Sequence, residues 1–312
     1  MKYWLIGAGL MSQEYAKVLV AQKIDFLTIG RSEKSALEFE KKTGKSVITG
    51  GLEKFLKTNP STPAGAIVSV GVDELKSATV QLLNQGIKKI LVEKPGGVDC
   101  TEIKELDDAS KKCNAKVLLA YNRRFFSSVI KAKEMLQEDG GVLSFQFDFT
   151  EWGHEIEKLD KPKKVLENWF LANSTHVSDM AFFMGGRPKE LNCYVSGSLK
   201  WHQRSSVFSG SGVSDKGALF SYSANWGAPG RWGVEVLSKS YRYFFRPLEK
   251  LSIQKKGSVA IEEIQLNDSI DKEFKPGLFL QTKAFIENDF LKFCDMNEQY
   301  QNSIFYKKIA GY

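Results

Sequence analysis

An apolar strand that runs straight into a glycine turn limits the possible folds of a chain more than any other feature here. Lys2 to Ile6 alternates as a strand does, Gly7-Ala8-Gly9 follows, and Gln13 to Ala21 then places Tyr15, Val18 and Leu19 on one helical face. A strand, a turn and a helix in so few residues bring unpaired backbone N–H groups and the positive end of a helix dipole to one point, where anions are favoured. Gly7 allows the tight turn, and Gly9 lets a pyrophosphate approach the backbone. Ser12 stands where a third glycine would sit, which predicts slightly wider packing of helix on strand. Gly7, Ala8, Gly9, Leu10 and Met11 are therefore the first candidate dinucleotide-binding positions.

The next strand, Asp25 to Ile29, bears on which dinucleotide is bound. An acidic residue about 20 positions past the glycines would bind a ribose 2′-hydroxyl, but this strand ends in Gly30-Arg31-Ser32. Arg31 offers a planar fork for a 2′-phosphate, Ser32 a hydroxyl and Lys34 a nearby charge. The expected cofactor is NADP(H), with NAD(H) as the lesser alternative. Helical and strand patterns then alternate: helix Glu33 to Thr43, strand Ser46 to Thr49, helix Leu52 to Lys57, strand Gly65 to Val70, helix Glu74 to Gln85 and strand Ile87 to Val92. Helix Thr101 to Cys113 and strand Val117 to Ala120 add one more unit. Short connections between alternating elements predict an α/β class, with a doubly wound parallel sheet over residues 1–120 and Ser69 among its cofactor positions.

Val92-Glu93-Lys94-Pro95-Gly96-Gly97 ends the fifth strand abruptly in charge, proline and paired glycine. Lys94 therefore sits at a strand's carboxyl end, where open α/β sheets bind ligands, and Pro95 keeps its backbone out of the helical region.

After residue 121 the pattern changes. Strand-like runs cover Leu143 to Glu151, Glu190 to Leu199, Ala218 to Trp226, Gly233 to Ser238, Tyr241 to Phe245, Lys250 to Gln254 and Val259 to Gln265. Long β runs without intervening helices predict an α+β domain over 121–312 with a large, mostly antiparallel sheet. Helices are expected at Ile130 to Leu136, Gln281 to Cys294 and, as a short tail, Ile304 to Tyr312. Asn173-Ser174-Thr175 reads as a polar cap for a helix His176 to Met184 that Gly185-Gly186 would end. His176 and Asp179 share a face of that helix, and a first-turn position disfavours the imidazolium, leaving a neutral base.

Taken in order, Gly7-x-Gly9-x-Met11, Glu93-Lys94-Pro95, Asn122-Arg123-Arg124-Phe125 and His176-x-x-Asp179 resemble the Gfo/Idh/MocA oxidoreductases over most of the chain. The resemblance implies an N-terminal Rossmann domain, a C-terminal α/β domain on a large sheet, and NAD(P)-linked redox chemistry on sugars, sugar phosphates, nucleotide sugars or cyclitols. It supports Lys94 and His176 as the catalytic pair, with Glu93 beside the cofactor. It also implies pairing of the second sheet with another subunit, as a homodimer or homotetramer. One departure stands out: many members carry an Asp four residues before the His, and here that position is Ala172, with Asn173 beside it. Asn cannot titrate, so a dinucleotide sensor that has lost its chemistry is the rival reading. Asn122, Arg123, Arg124, Asn173, Asp179, Trp169 and Arg231 are candidate substrate contacts. For the arginines the alternative is an interdomain ion pair, and for the tryptophans it is core or interface packing.

Composition bounds the rest. A chain of 312 residues is long enough for two cores. Its net charge of +7 is spread as basic doublets such as Lys41-Lys42 and Lys255-Lys256 among acidic neighbours, which suits a small anionic ligand and offers no recognition stripe for nucleic acid. No apolar run reaches the roughly 20 residues of a membrane span. Four scattered cysteines suggest reduced thiols and a cytoplasmic protein, and neither they nor His154 and His202 have convincing metal-ligand spacing, so no metal is expected.

Overall fold

Strand Tyr3–Ile6 (β1) is buried at every residue, as a parallel strand covered on both faces must be. Phe26–Ile29 (β2), Val47–Ile48 (β3), Gly65–Val68 (β4), Lys89–Val92 (β5) and Lys116–Leu119 (β6) complete the parallel set. Their order is β3-β2-β1-β4-β5-β6, and the short strand Cys294–Asp295 adds antiparallel to β6. The order reverses between β1 and β4, so a crevice opens at their carboxyl ends. Helices Leu10–Ala21, Glu33–Thr43, Leu75–Asn84 and Cys100–Lys112 connect the strands. Helix Glu33–Thr43 shows how local chemistry sets the ends: Ser32 accepts from the Ser35 N–H at its start, and Gly44, with φ 66°, stops it.

This computed structural model describes residues 2–312. Its first compact unit comprises residues up to Asn122 together with Ile270–Gln301, and its second Arg123–Ser269 with Asn302–Tyr312. The first crossing lies close to the expected boundary at 120. The return at Ile270 is the difference from a simple 1–120 and 121–312 division. The helix expected over Gln281 to Cys294 is Leu278–Glu287, ended by Asn288 in the left-handed conformation at φ 62°. The expected tail helix is the last part of a longer one, Met296–Ala310. Among the described residues no helix is long and apolar enough to cross a membrane, and all four cysteines are free thiols.

The second unit carries Ser144–Asp148 (β7), Pro188–Ser196 (β8), Val207–Ser214 (β9), Leu219–Asn225 (β10), Gly233–Leu237 (β11), Tyr241–Phe245 (β12), Ser252–Lys255 (β13) and Ile261–Glu263 (β14). They form one sheet in the order β14-β13-β12-β11-β7-β10-β9-β8. All pairs are antiparallel except β7 with β10. Along β10 every second residue is buried, so one face is core and the other polar.

The core face is aromatic. Phe145 stacks on Phe220 at 5.2 Å and Phe147 on Tyr222 at 5.4 Å, while Phe182 from helix Thr175–Gly185 meets Phe147 edge-on at 5.3 Å. Rings of this size each bury roughly 150–250 Å², enough to hold the helix on the sheet without polar help. A Cβ on Gly185 would lie 2.2 Å from the Phe145 ring, so only glycine lets the helix end approach this closely.

Strand β9 has no counterpart in the sequence reading, because Val207-Phe208-Ser209-Gly210-Ser211-Gly212 supplies serine and glycine where apolar residues would reveal a strand. The reason is steric. The cross-strand rings of Tyr222 and Phe220 lie over Gly210 and Gly212, where added Cβ atoms would come within 2.4 Å and 2.7 Å of them. The rings fill the space that side chains on β9 would otherwise occupy.

Candidate functional site

In the first unit the glycine turn is built as a cradle. Gly7 has φ 117°, and a Cβ there would stand 2.5 Å from the Ser69 carbonyl oxygen. Gly9 precedes helix Leu10–Ala21 with open space where its side chain would be, and the first turn carries no acidic side chain to repel an anion. The pyrophosphate of a dinucleotide fits this arrangement of open backbone and helix start. Ser12 is fully buried, and its hydroxyl and that of Ser69 share a 2.6 Å hydrogen bond that ties the helix to the end of β4. Ala8 is buried within the turn, while Leu10 points outward.

At the end of β2, Arg31 is 81% exposed in its side chain and donates to Glu74 at 3.2 Å. Glu74 arrives from the short 3-10 turn Val72–Glu74 after β4, 43 residues away, and nothing in the β2 segment signals it. Ser32 is occupied as the helix cap described above.

Where β5 ends, Glu93 accepts a 2.9 Å hydrogen bond from the buried Tyr15 hydroxyl. Burial pushes the Glu93 carboxyl up, against the opposing pull of the Tyr15 hydrogen bond and of the Lys94 and Lys275 charges. Lys94 is 8% exposed. The Lys94–Pro95 peptide is cis, the Gly96 N–H returns to the Glu93 carbonyl at 3.1 Å, and Gln299 donates to the Pro95 carbonyl at 2.9 Å. Two hydrogen bonds thus hold the backbone around the lysine. Asn122 donates to the Pro276 carbonyl at 2.9 Å.

In the second unit His176 lies in the first turn of helix Thr175–Gly185, but the expected polar cap is absent. A π-helical turn, Phe170–Ser174, continues the helix backwards, and Ser174 makes no side-chain cap bond. The side chains read as a cap serve another partner: Asn173 Nδ2 and the Ser174 hydroxyl donate to Glu151 at 2.9 Å and 2.8 Å. With its helix extended in this way, His176 is not at a bare helix start, which removes the physical basis for that argument about its charge. Asp179 does not serve as the helical neighbour of His176 alone. It takes a two-pronged ion pair from Arg124, whose Nε and a terminal N–H donate at 2.9 Å and 2.6 Å, with both side chains buried. Two parallel charge-assisted bonds satisfy charges that would be costly to bury singly.

Glu151 was not singled out in the sequence, yet its carboxylate is 2% exposed and also receives Arg231 at 3.3 Å. Its only sequence signal is a charged residue closing a strand-like run. Arg231 packs over Trp232 at 4.4 Å, Arg123 over the same indole at 5.0 Å, and His176 beside it at 6.2 Å between ring centroids. Trp232 is therefore the shared surface of this group. Trp169 is buried edge-on against Trp201 at 6.0 Å, the packing contact expected as its alternative. His202 has the same structural character, its Nδ1 lying 2.9 Å from the Leu166 carbonyl.

No protein-family model matches the chain, and no curated protein does. Solved structures do. Levoglucosan dehydrogenase in complex with NADH and levoglucosan superposes with a TM-score of 0.81 at 16% identity, covering 100% of this chain and 96% of that one. A proposed NADPH-dependent oxidoreductase from Desulfitobacterium hafniense gives 0.81 at 17% identity, covering 100% and 95%. UDP-N-acetylglucosamine 3-dehydrogenase GnnA from Acidithiobacillus ferrooxidans gives 0.75 at 12% identity, covering 99% and 96%. At these identities the likeness is one of fold, and it extends over both units: the chain has the Gfo/Idh/MocA-type fold that its four motifs resemble.

Proposed function

We propose that the protein is an NAD(P)-dependent oxidoreductase that prefers NADP(H) and acts on a sugar or a sugar derivative. The observation that carries this reading is the Gly7–Ser12–Ser69 cradle at the carboxyl edge of a sheet whose neighbouring strand β5 runs directly into the rooted Lys94. Two of the fold neighbours add support, since one is a levoglucosan dehydrogenase and the other a UDP-N-acetylglucosamine 3-dehydrogenase.

The backbone of Gly7 to Met11 would hold the pyrophosphate and Arg31 the 2′-phosphate, and a bound nicotinamide would supply or accept the hydride. The chain's own residues handle the proton. His176 takes the hydroxyl proton during oxidation and returns it during reduction. The Lys94 ammonium donates to the reacting oxygen and stabilises its alkoxide form, a role worth most where water is excluded. A homodimer or homotetramer is part of the proposal, with the polar face of the second sheet as the joining surface.

The test is an absorbance screen for reduced nicotinamide with both cofactors against sugars, sugar phosphates and nucleotide sugars. Turnover that Lys94→Ala and His176→Ala each abolish supports the assignment. Silence across the panel combined with tight NADPH binding would replace it with a dinucleotide sensor.

A further inference from the structure

We propose that Arg231 forms an oxyanion subsite, which makes the substrate a sugar bearing a carboxylate or a phosphate. The inference rests on the oxidoreductase reading for the word substrate, and on independent geometry for the word oxyanion. Two indoles lie against this guanidinium, Trp152 at 4.9 Å and Trp232 at 4.4 Å from its central carbon. Trp152 is itself pinned, its ring N–H donating to the Gly230 carbonyl at 2.9 Å. Stacking suits arginine in a way it does not suit lysine, because the planar cation keeps its N–H edge available while its faces are covered.

Arg231 uses one of its N–H groups on Glu151. Of the five donors a guanidinium carries, the others have no acceptor among the described residues, and the side chain is 46% exposed. A counterion to Glu151 alone would not need two aromatic walls. Asn173 and Ser174 also donate to that carboxylate, so Glu151 does not depend on Arg231 alone for its hydrogen bonds. The solvent side of Arg231 is left as a preorganised cationic edge.

The position matches a substrate role. His176 and Arg231 pack on the same Trp232 ring, so a single sugar with one anionic substituent can reach both. The two anion chemistries share this recognition, and a panel separates them.

Binding is measured by tryptophan fluorescence, which Trp152 and Trp232 should report, with D-glucose, D-glucuronate and D-glucose 6-phosphate on the full-length protein. The expected result is saturable binding of one anionic sugar at least tenfold tighter than glucose, weakened by added salt. Whichever of glucuronate and glucose 6-phosphate binds tighter identifies the group. Arg231→Gln should weaken that anion about 30-fold, the scale of a lost charge-assisted hydrogen bond, and glucose by much less. Because that variant leaves Glu151 with one donor fewer, Arg231→Lys and the surface change Trp152→Leu are measured beside it. Each should lose part of the preference for the anion while the thermal midpoint stays near wild type. Equal affinity for glucose and its anionic forms, no binding of any of the three, or an Arg231→Gln protein with an intact preference would overturn the proposal. A parallel NADPH titration separates the two readings: failure there removes the oxidoreductase assignment and leaves the anion result to be judged alone.

Discussion

The Arg31–Glu74 pair makes cofactor choice a quantitative matter. Arg31 lies where a 2′-phosphate would be read, but its guanidinium already meets the Glu74 carboxylate at 3.2 Å. An exposed pair of this kind is worth about 0–1 kcal/mol and exchanges readily for a stronger anion. A phosphate accepted by the other edge of Arg31 would stand roughly 6 Å from Glu74, where a doubly charged group and a carboxylate in water repel by about 1.4 kcal/mol before screening. Salt at about 0.1 M brings this below roughly 1 kcal/mol, or about fourfold in affinity. Glu74→Gln should therefore tighten NADPH about fourfold, more at low salt than at high, and leave NADH within about twofold. Arg31→Ala should weaken NADPH by roughly 10 to 100-fold, the value of a charge-assisted bond, and change NADH little. Titration of nicotinamide fluorescence at two salt concentrations measures all four constants. If Glu74→Gln instead leaves NADPH unmoved and weakens NADH, Glu74 is a hydroxyl acceptor, and the preference for NADP(H) is wrong.

Three further outcomes are expected. Lys94→Ala should lower kcat by roughly a thousandfold while dinucleotide affinity stays within about threefold, and an unchanged kcat refutes the alkoxide role. Gly7→Ala, which sets a Cβ 2.5 Å from the Ser69 oxygen at φ 117°, should cost about 2 kcal/mol or more in urea unfolding and abolish cofactor binding. Burial holds the His202 imidazole below its ordinary 6.5, so the folded state binds that proton less readily than the unfolded chain. The associated stability is present above pH 6.5 and is lost as pH falls below it. His202→Gln should flatten the pH dependence of the urea midpoint between about pH 7 and 5, and an unaltered slope would assign the titration elsewhere.

The parts of the molecule that sequence made legible are those governed by neighbours in the chain. Helix Glu33–Thr43 has the expected bounds because a serine cap and a glycine stop are local chemistry. The strand that delivers Lys94 is visible for the same reason, since apolar residues give way at once to charge and proline. What was hidden depends on partners far along the chain. Strand β9 is held by rings on β10, so its own serines and glycines look like a loop. Glu74 finds Arg31, and Glu151 gathers Asn173, Ser174 and Arg231, through folding alone. Asn173 and Ser174 have the composition of a helix cap, and only the position of Glu151 shows that they serve as its donors.

The late return of Ile270–Gln301 to the first unit has a consequence for how the protein is made. Gln299 supplies the bond that steadies the loop of Lys94, Asn288 receives Lys89 at 3.0 Å, and the Phe279 carbonyl receives Gln22 at 2.8 Å. During synthesis these groups leave the ribosome long after the nucleotide-binding strands have emerged. The nascent front half must wait, with one sheet edge uncovered and the loop of Lys94 unsupported, until residues 270–301 have emerged. A messenger cut short before that point would yield a protein with every glycine of the Gly7–Gly9 turn and no bond from Gln299 to steady the loop of Lys94.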